Sequence, residues 1–450
     1  ALPGGAAAQP AGAAEPVIAE STLTATISQS LAADTNYDLD PDPAGTTYYG
    51  DTRFGLGLLR ASETRSLRFL FNSGLRTLDR PDESVEFTVA SPSVARVTYD
   101  QAFANAAFDI DVSARYRRIE RDVIDEDFFI DPDEPPLPPD DPGALPEDVT
   151  RIDDETFERR FDLDTGLVLG TEAPSSLGFR LQATDVDYAG DSPEDFSPRS
   201  GAELGMLWRL RVNPVLSGVV FGNYLFEDST EQPTEGTTQD TRIEEAELDL
   251  GFTYQPREEA SVTLGAGYAK RSETTTLEGV ETTEDNSGIS LRALGSYATD
   301  TLSLQFNTRY TTAAEAARFS GDIRAGYIRP RGVITARLFQ TYGLGSEGDD
   351  RRVTGAGLSY RHEINSFSGL LFDLRAVNSV SANDASDDLG AAEEDERRQI
   401  DFTATYSRDF TRVVRGSLGY RLSQREEDDP GNATSHRVFV EIGRSFVTGF

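Results

Sequence analysis

The chain is 450 residues long and carries a formal charge of −36, from 78 acidic against 42 basic residues, with no Cys, one Met, one Trp and two His. The acidic balance argues against nucleic-acid binding, and the missing Cys excludes disulfides, thiol nucleophiles and thiolate metal sites. No apolar run reaches the roughly 18 residues of a membrane-spanning helix, whereas a barrel strand needs only about 9–11 residues with one apolar side.

Residues 1–20 (ALPGGAAAQPAGAAEPVIAE) are rich in Ala, Gly and Pro and cannot bury much surface, so they read as a flexible lead-in. No secretory signal stands in front of them, as expected of a mature, already processed form. From Ser21 to Phe450 the chain alternates apolar and polar residues in segments joined by connections that are short, then long, then short. The long connections are acidic and polar: 34–46, 77–92, 120–156, 188–198, 227–241, 271–286, 343–350, 378–396 and 424–434. The short ones carry turn residues: Glu63-Thr64-Arg65, Asn213-Pro214, Pro256-Arg257-Glu258, Thr299-Asp300, Arg329-Pro330-Arg331 and Asn365-Ser366. This predicts an all-β fold: one antiparallel up-and-down barrel of about twenty strands, 18 being the alternative count, with the ambiguity around Val85–Tyr99. A barrel of that size has too wide a bore to be filled by side chains.

The tyrosines mark strand ends. Tyr254, Tyr297, Tyr327, Tyr360 and Tyr406 each close a strand before a short turn, and Tyr224, Tyr268, Tyr310, Tyr342 and Tyr420 sit late in strands that enter a long connection. All ten share the parity of the apolar residues, so they are expected to form two aromatic girdles at the membrane interfaces. A soluble sandwich would also use Tyr as a strand former, but not at both edges.

The opposite parity is polar and rich in Arg. Arg160, Arg180, Arg209, Arg211, Arg292, Arg309, Arg318, Arg324, Arg337, Arg375, Arg415 and Arg421 are expected to line a wet lumen, because Arg facing lipid at mid-membrane would cost roughly 2–4 kcal/mol. Arg444 alone has lipid parity, near a strand end from which it can snorkel. Acidic lumen residues, namely Asp109, Asp111, Asp162, Asp164, Glu203, Glu245, Glu247 and Asp249, cluster in the first half. An acidic arc facing a basic one would set a field across a pore; pairing between neighbouring strands is the other reading.

The last strand, S-H-R-V-F-V-E-I-G-R-S-F-V-T-G-F, puts Val438, Val440, Ile442, Phe446 and Phe450 on one face. It resembles the final strand of Gram-negative outer-membrane β-barrels. That resemblance implies a bacterial outer-membrane location, contact with membrane lipid and lipopolysaccharide, and recognition of Phe450 by the barrel-assembly machinery. The general porins of this class carry a transverse field and an inward-folded third external loop, the position that 120–156 takes here. Alternatively that loop is a disordered acidic surface segment.

Acidic runs such as Asp38-Leu39-Asp40-Pro41-Asp42 and Glu426-Glu427-Asp428-Asp429 lack EF-hand spacing. They suit at most weak Ca²⁺ or Mg²⁺ binding, and no cofactor is expected. Only His362 and His436 offer an imidazole base, neither beside a nucleophile, so no enzyme is expected. The leading expectation is passive diffusion of hydrophilic, in part anionic, solutes through a charged pore. Two alternatives stand beside it. One is export of anionic polysaccharide with a periplasmic partner, by likeness to exopolysaccharide-secretion barrels. The other is a plugged surface barrel acting as receptor, adhesin or structural protein. A homo-oligomer is compatible with any of the three.

Overall fold

A computed structural model describes residues 20–81, 84–90, 92–118, 156–190, 196–231, 239–277, 279–314, 317–344, 350–381, 396–427 and 431–449. The lead-in 1–19, nearly all of the 120–156 connection, and Phe450 with its assembly role lie outside the described residues.

Every described element is a strand, because period-two alternation runs through each segment and nothing carries a helical repeat. The strands are β1 (Glu20–Asp34), β2 (Thr47–Ala61), β3 (Arg65–Asp79), β4 (Glu86–Val89), β5 (Ser93–Phe103), β6 (Ala106–Arg118) and β7 (Phe157–Leu169). They continue through β8 (Ser175–Ala189), β9 (Arg199–Asn213), β10 (Leu216–Glu231), β11 (Gln239–Arg257), β12 (Ala260–Leu277), β13 (Val280–Ala298) and β14 (Leu302–Thr311). The set ends with β15 (Arg318–Arg329), β16 (Gly332–Leu344), β17 (Asp350–Asn365), β18 (Ser368–Ser381), β19 (Glu396–Asp409), β20 (Val414–Glu427) and β21 (Ala433–Gly449).

Each strand pairs antiparallel with its sequence neighbours, and β21 returns to β1 in continuous register from Thr22↔Gly449 to Asp34↔Arg437. The sheet is closed and has no free edge along this seam, so every membrane-level backbone group there finds a partner. Both β4 and β5 pair with β3, at Leu75↔Val89 and Asn72↔Val94. They are one barrel position interrupted at residues 90–92, which makes 21 segments a barrel of 20 strands. This settles the ambiguity around Val85–Tyr99.

Several connections differ from the sequence expectation. Residues 271–286 are not a loop: β12 and β13 stay paired from Ala260↔Tyr297 to Leu277↔Val280, projecting past Tyr268 as a Thr-rich hairpin. Likewise 77–92 is mostly strand, through the end of β3 and all of β4. Between β12 and β13 the alternation of short and long connections is therefore broken. Three short turns, 104–105, 170–174 and 410–413, and one longer connection, 312–317, carried no signal strong enough to be read.

The outer face is apolar and exposed: Phe54, Leu56, Phe71, Leu250, Leu264, Leu338, Leu358 and Ile442 all present open side chains. A monomer in water does not tolerate an apolar surface of this extent. The barrel is a membrane barrel of the outer-membrane type.

Candidate functional site: the inner wall and the mouth

The inward parity assembles the charges, and the register decides who meets whom. On β12 the inward positions are Gly265, Gly267 and Ala269, too small to separate the side chains on either side. Two flat interstrand steps would hold β11 and β13 about 9.5 Å apart. Their Cα atoms come within 8 Å, so the wall folds sharply at β12. Across this corner Glu247 on β11 accepts hydrogen bonds from Ser290 Oγ and from Arg292 at 3.1 Å, and Arg309 of β14 reaches it at 2.9 Å. Arg309 also bonds Glu245. Asp249 is fully buried, with Arg292 Nε 3.4 Å away and no hydrogen bond to either carboxylate oxygen. Beneath this network Val219, Phe221 and Leu294 form an apolar cluster packed on Leu207, and Arg292 lies over the Phe221 ring at 5.0 Å. This apolar patch on the lumen parity departs from the polar inner wall that the alternation predicts.

Most of the remaining acidic positions are also matched locally. Asp111 meets Arg96, Asp162 meets Arg160 at 2.9 Å and Thr184, and Asp164 meets Arg180. Asp322 holds both Arg324 at 2.7 Å and Arg337, and Asp401 holds Arg421 at 3.1 Å and Ser423. Asp109 lies beside Gly166, and Glu203 faces Leu225 across β9 and β10. Arg209, Arg211 and Arg375 take the inward parity of β9 and β18; Arg318, the first residue of β15, has that parity too but lays its guanidinium over the ring of outer-face Tyr342 at 5.3 Å. The two arcs thus meet at β11–β14, and Asp111, Asp162, Asp164, Asp322 and Asp401 each sit against an arginine on their own or an adjacent strand.

More inward arginines exist than the sequence reading took. Arg76, Arg271, Arg351, Arg397 and Arg425 are all buried near the long-connection end, and Arg437 is mostly buried there. They were missed because those stretches read as loops or loop margins. Continued alternation, as in Arg421, Ser423, Arg425, was the signal that could have found them.

The mouth at this end is partly built over. Tyr37 and Leu39, between β1 and β2, are buried with Tyr49 and Leu78 on the wall. Arg76 locks the arrangement: it grips Asp51 at 2.7 and 2.9 Å, donates to the Tyr37 hydroxyl at 2.9 Å and lies over the Tyr49 ring at 4.7 Å. Leu39 takes a left-handed backbone (φ 51°), which is uncommon for Leu and is held by the burial of its side chain. Further round, Phe196 turns back to stack on Tyr188 at 5.0 Å over Val186.

The ten tyrosines lie on the outer parity. Tyr254, Tyr297, Tyr327, Tyr360 and Tyr406 sit at the short-turn end; Tyr224, Tyr268, Tyr310, Tyr342 and Tyr420 sit toward the other. Both histidines are outward beside such a tyrosine, His362 Nδ1 at 3.1 Å from the Tyr360 hydroxyl and His436 Nδ1 at 2.8 Å from that of Tyr420. Arg444 is exposed and lies over Phe446 at 4.5 Å. Among the described residues no group of three or more His, Cys, Asp or Glu is arranged to hold a metal ion. Asp38 instead faces Arg80 at 3.6 Å, while Asp428 and Asp429 lie outside the described residues.

At the short turn between β19 and β20, Arg415 hydrogen-bonds Asp409 at 2.7 Å and holds that carboxyl below its ordinary 3.8. The folded value is the lower one, so the pair stabilises the turn above about pH 4 and releases it as pH falls through the folded value. The amide protection factor at residues 410–413 should therefore fall on acidification in the native chain and stay flat in Asp409→Asn. Equal pH responses in both would remove the pair from the account.

No protein-family model matches the sequence, and no curated protein matches it. Solved structures do. The ferric-catecholate import receptor Fiu of E. coli K12 superposes with a TM-score of 0.47 at 9% identity, over 96% of this chain and 82% of that one. The FrpB iron transporter of Neisseria meningitidis gives 0.47 at 7%, over 93% and 81%. The ferric citrate transporter FecA gives 0.46 at 11%, over 94% and 78%. These likenesses concern the fold. One expectation is corrected: the solved structures named above are an import receptor and metal transporters by name, not diffusion porins. Passive diffusion through an open pore is withdrawn.

Proposed function

We propose that this barrel is a surface receptor, closed to free diffusion, that takes a small solute at the mouth formed at its long-connection end. The observation that carries the reading is the wall and mouth together. Inward carboxylates and arginines are bonded to one another, and Tyr37, Leu39 and Phe196 pack back onto the wall through buried aromatic contacts. A mouth lined by Tyr and Arg suits a small anionic or aromatic solute, through charge-assisted hydrogen bonds and stacking.

In this reading the long connections face outward, the short turns face the periplasm, and the two tyrosine rows lie at the two interfaces. The inward Arg and Asp sets stiffen the wall. No enzymatic step is assigned, since both histidines point to the outer face. Weak divalent binding by the acidic connections would be a surface property.

Planar-bilayer recording of the purified chain tests the proposal. The expected result is a silent membrane, or rare brief openings. A steady ohmic conductance in every insertion would overturn it.

A further inference from the structure

Strand β13 outruns its neighbour on one side. Its register with β14 runs from Ala298↔Ser303 to Ser290↔Thr311 and stops, whereas β12 stays paired with it up to Leu277↔Val280. The last bonds on the β14 side are at Ile289, whose N–H donates to Thr312 Oγ1 at 2.9 Å and whose carbonyl accepts from the Thr312 N–H at 3.1 Å. Backbone groups alternate sides along a strand, so those of Glu281, Thr283, Asp285 and Ser287 point the same way as those of Ile289. Among the described residues no strand meets them. The register Tyr268↔Ile289 sets this stretch beyond the tyrosine row, and residues 280–285 are all exposed.

An open edge of this kind is a template for another strand, and proteins ordinarily blunt such edges with Lys, Pro or a bulge. Residues 280–288 (VETTEDNSG) contain neither Lys nor Pro, and their pairing with β12 has no bulge. What they carry is charge of one sign, from Glu281, Glu284 and Asp285, with Lys270 of β12 meeting Asp285 at 3.2 Å. Glu281 and Asp285 lie on one face and Glu284 on the other, so a strand added at the edge would meet a carboxylate on either face.

We infer that the free edge of β13 is a docking site for an extended, basic polypeptide segment of another protein, which joins the sheet as a further strand beside residues 280–288. Symmetry and charge select this occupant. Antiparallel pairing with β13 of a second copy needs a twofold axis perpendicular to the sheet, which would turn one copy upside down in the membrane. Parallel pairing would need the opposite edge, which β12 fills. The chain's own long connections 120–156 and 378–396 are acidic and would set like charges side by side. A basic segment gains main-chain hydrogen bonds for affinity and ion pairs with Glu281 and Asp285 for selectivity. That the segment comes from outside the cell rests on the orientation proposed above; the pairing does not.

A fluorescent peptide of alternating Lys and Thr, long enough to span 280–288, tests the edge on the purified full chain in detergent. Binding should raise its anisotropy, and hydrogen exchange should slow at the amides of Glu281, Thr283, Asp285 and Ser287. Methylating every backbone nitrogen of the peptide keeps its charge and removes its donors, and should weaken binding about tenfold. Thr283→Pro, which deletes a donor facing the edge and none facing β12, should weaken it likewise. Glu281→Lys with Asp285→Lys should turn the preference toward a peptide of alternating Glu and Thr. Heat-modifiable gel migration shows that each variant is folded. No binding, or protection at other amides, overturns the site, and equal binding of the methylated peptide overturns strand addition in favour of plain charge attraction. None of these readouts depends on whether the barrel conducts or which way it faces, so the receptor reading stands or falls separately.

Discussion

Replacing Arg309 with Ala is expected to be the most damaging single change in the inner wall. Arg309 serves Glu245 and Glu247 at once, and the Glu247 side chain is 1% exposed. Removing the guanidinium strands Glu245 and leaves Arg292 as the one cation facing both Glu247 and Asp249 in a crowded wall. Breaking a buried ion pair from one side typically costs about 3–5 kcal/mol, because the surviving charge has lost its compensation. Denaturant titration of the barrel in lipid vesicles should show a loss of that order. The cause can be separated from lost packing: adding Glu247→Gln to the Arg309→Ala chain should recover a good part of the deficit, since a neutral amide is far cheaper to leave in place. A single variant as stable as the native chain, or a double variant worse than the single, would mean that the network does not hold the corner together.

The second large effect is steric. A Cβ at Gly267 would stand 2.7 Å from Asp249 Cα, and closer still to the Leu248 carbonyl oxygen and the Asp249 carboxylate. Neither backbone atom can yield without moving β11 away from β12. Gly267→Val should therefore flatten the fold at β12, separate Glu247 from Arg292 and cost about 1–3 kcal/mol or more. The folded fraction, read by heat-modifiable gel migration, should fall sharply. Gly218, on the outer face of β10, has nothing within 4 Å of an added Cβ, and Gly218→Val is the matched control. If both glycines tolerate Val equally, the corner does not need a bare backbone.

Both predictions concern a feature that alternation could not reveal. Parity is a local property: Glu247 and Arg309 can each be assigned to the lumen from a few neighbouring residues. Their meeting is not local. It requires β12 to present Gly265 and Gly267 inward and the sheet to fold there, so that a side chain on β11 spans two intervening strands to one on β14. Read along the chain, the acidic first half and the basic second half look like opposite walls of a pore. In the closed barrel they are adjacent at this corner. The expectation of an open, field-lined channel came from that difference.

The interrupted strand gives the same lesson on a smaller scale. Residues 86–103 contain one barrel position, but the break at 90–92 shifts its register against β3 by two residues and hides the continuity. Thr-rich stretches such as 274–276 and 282–283 resemble loop sequence because both of their faces are polar. Above the membrane nothing demands an apolar side, and pairing with the neighbouring strand alone keeps them extended.

What the sequence determined by itself is the class of fold and the side each residue faces. A period of two, an apolar stripe ending in Tyr and the polar punctuation between strands are enough for a lipid-facing barrel, since each depends only on contacts within a few residues. The tertiary structure alone decided the fold at β12 and the return of Tyr37 and Phe196 onto the wall. Each of these depends on curvature and on register between strands remote in sequence, which no local pattern encodes.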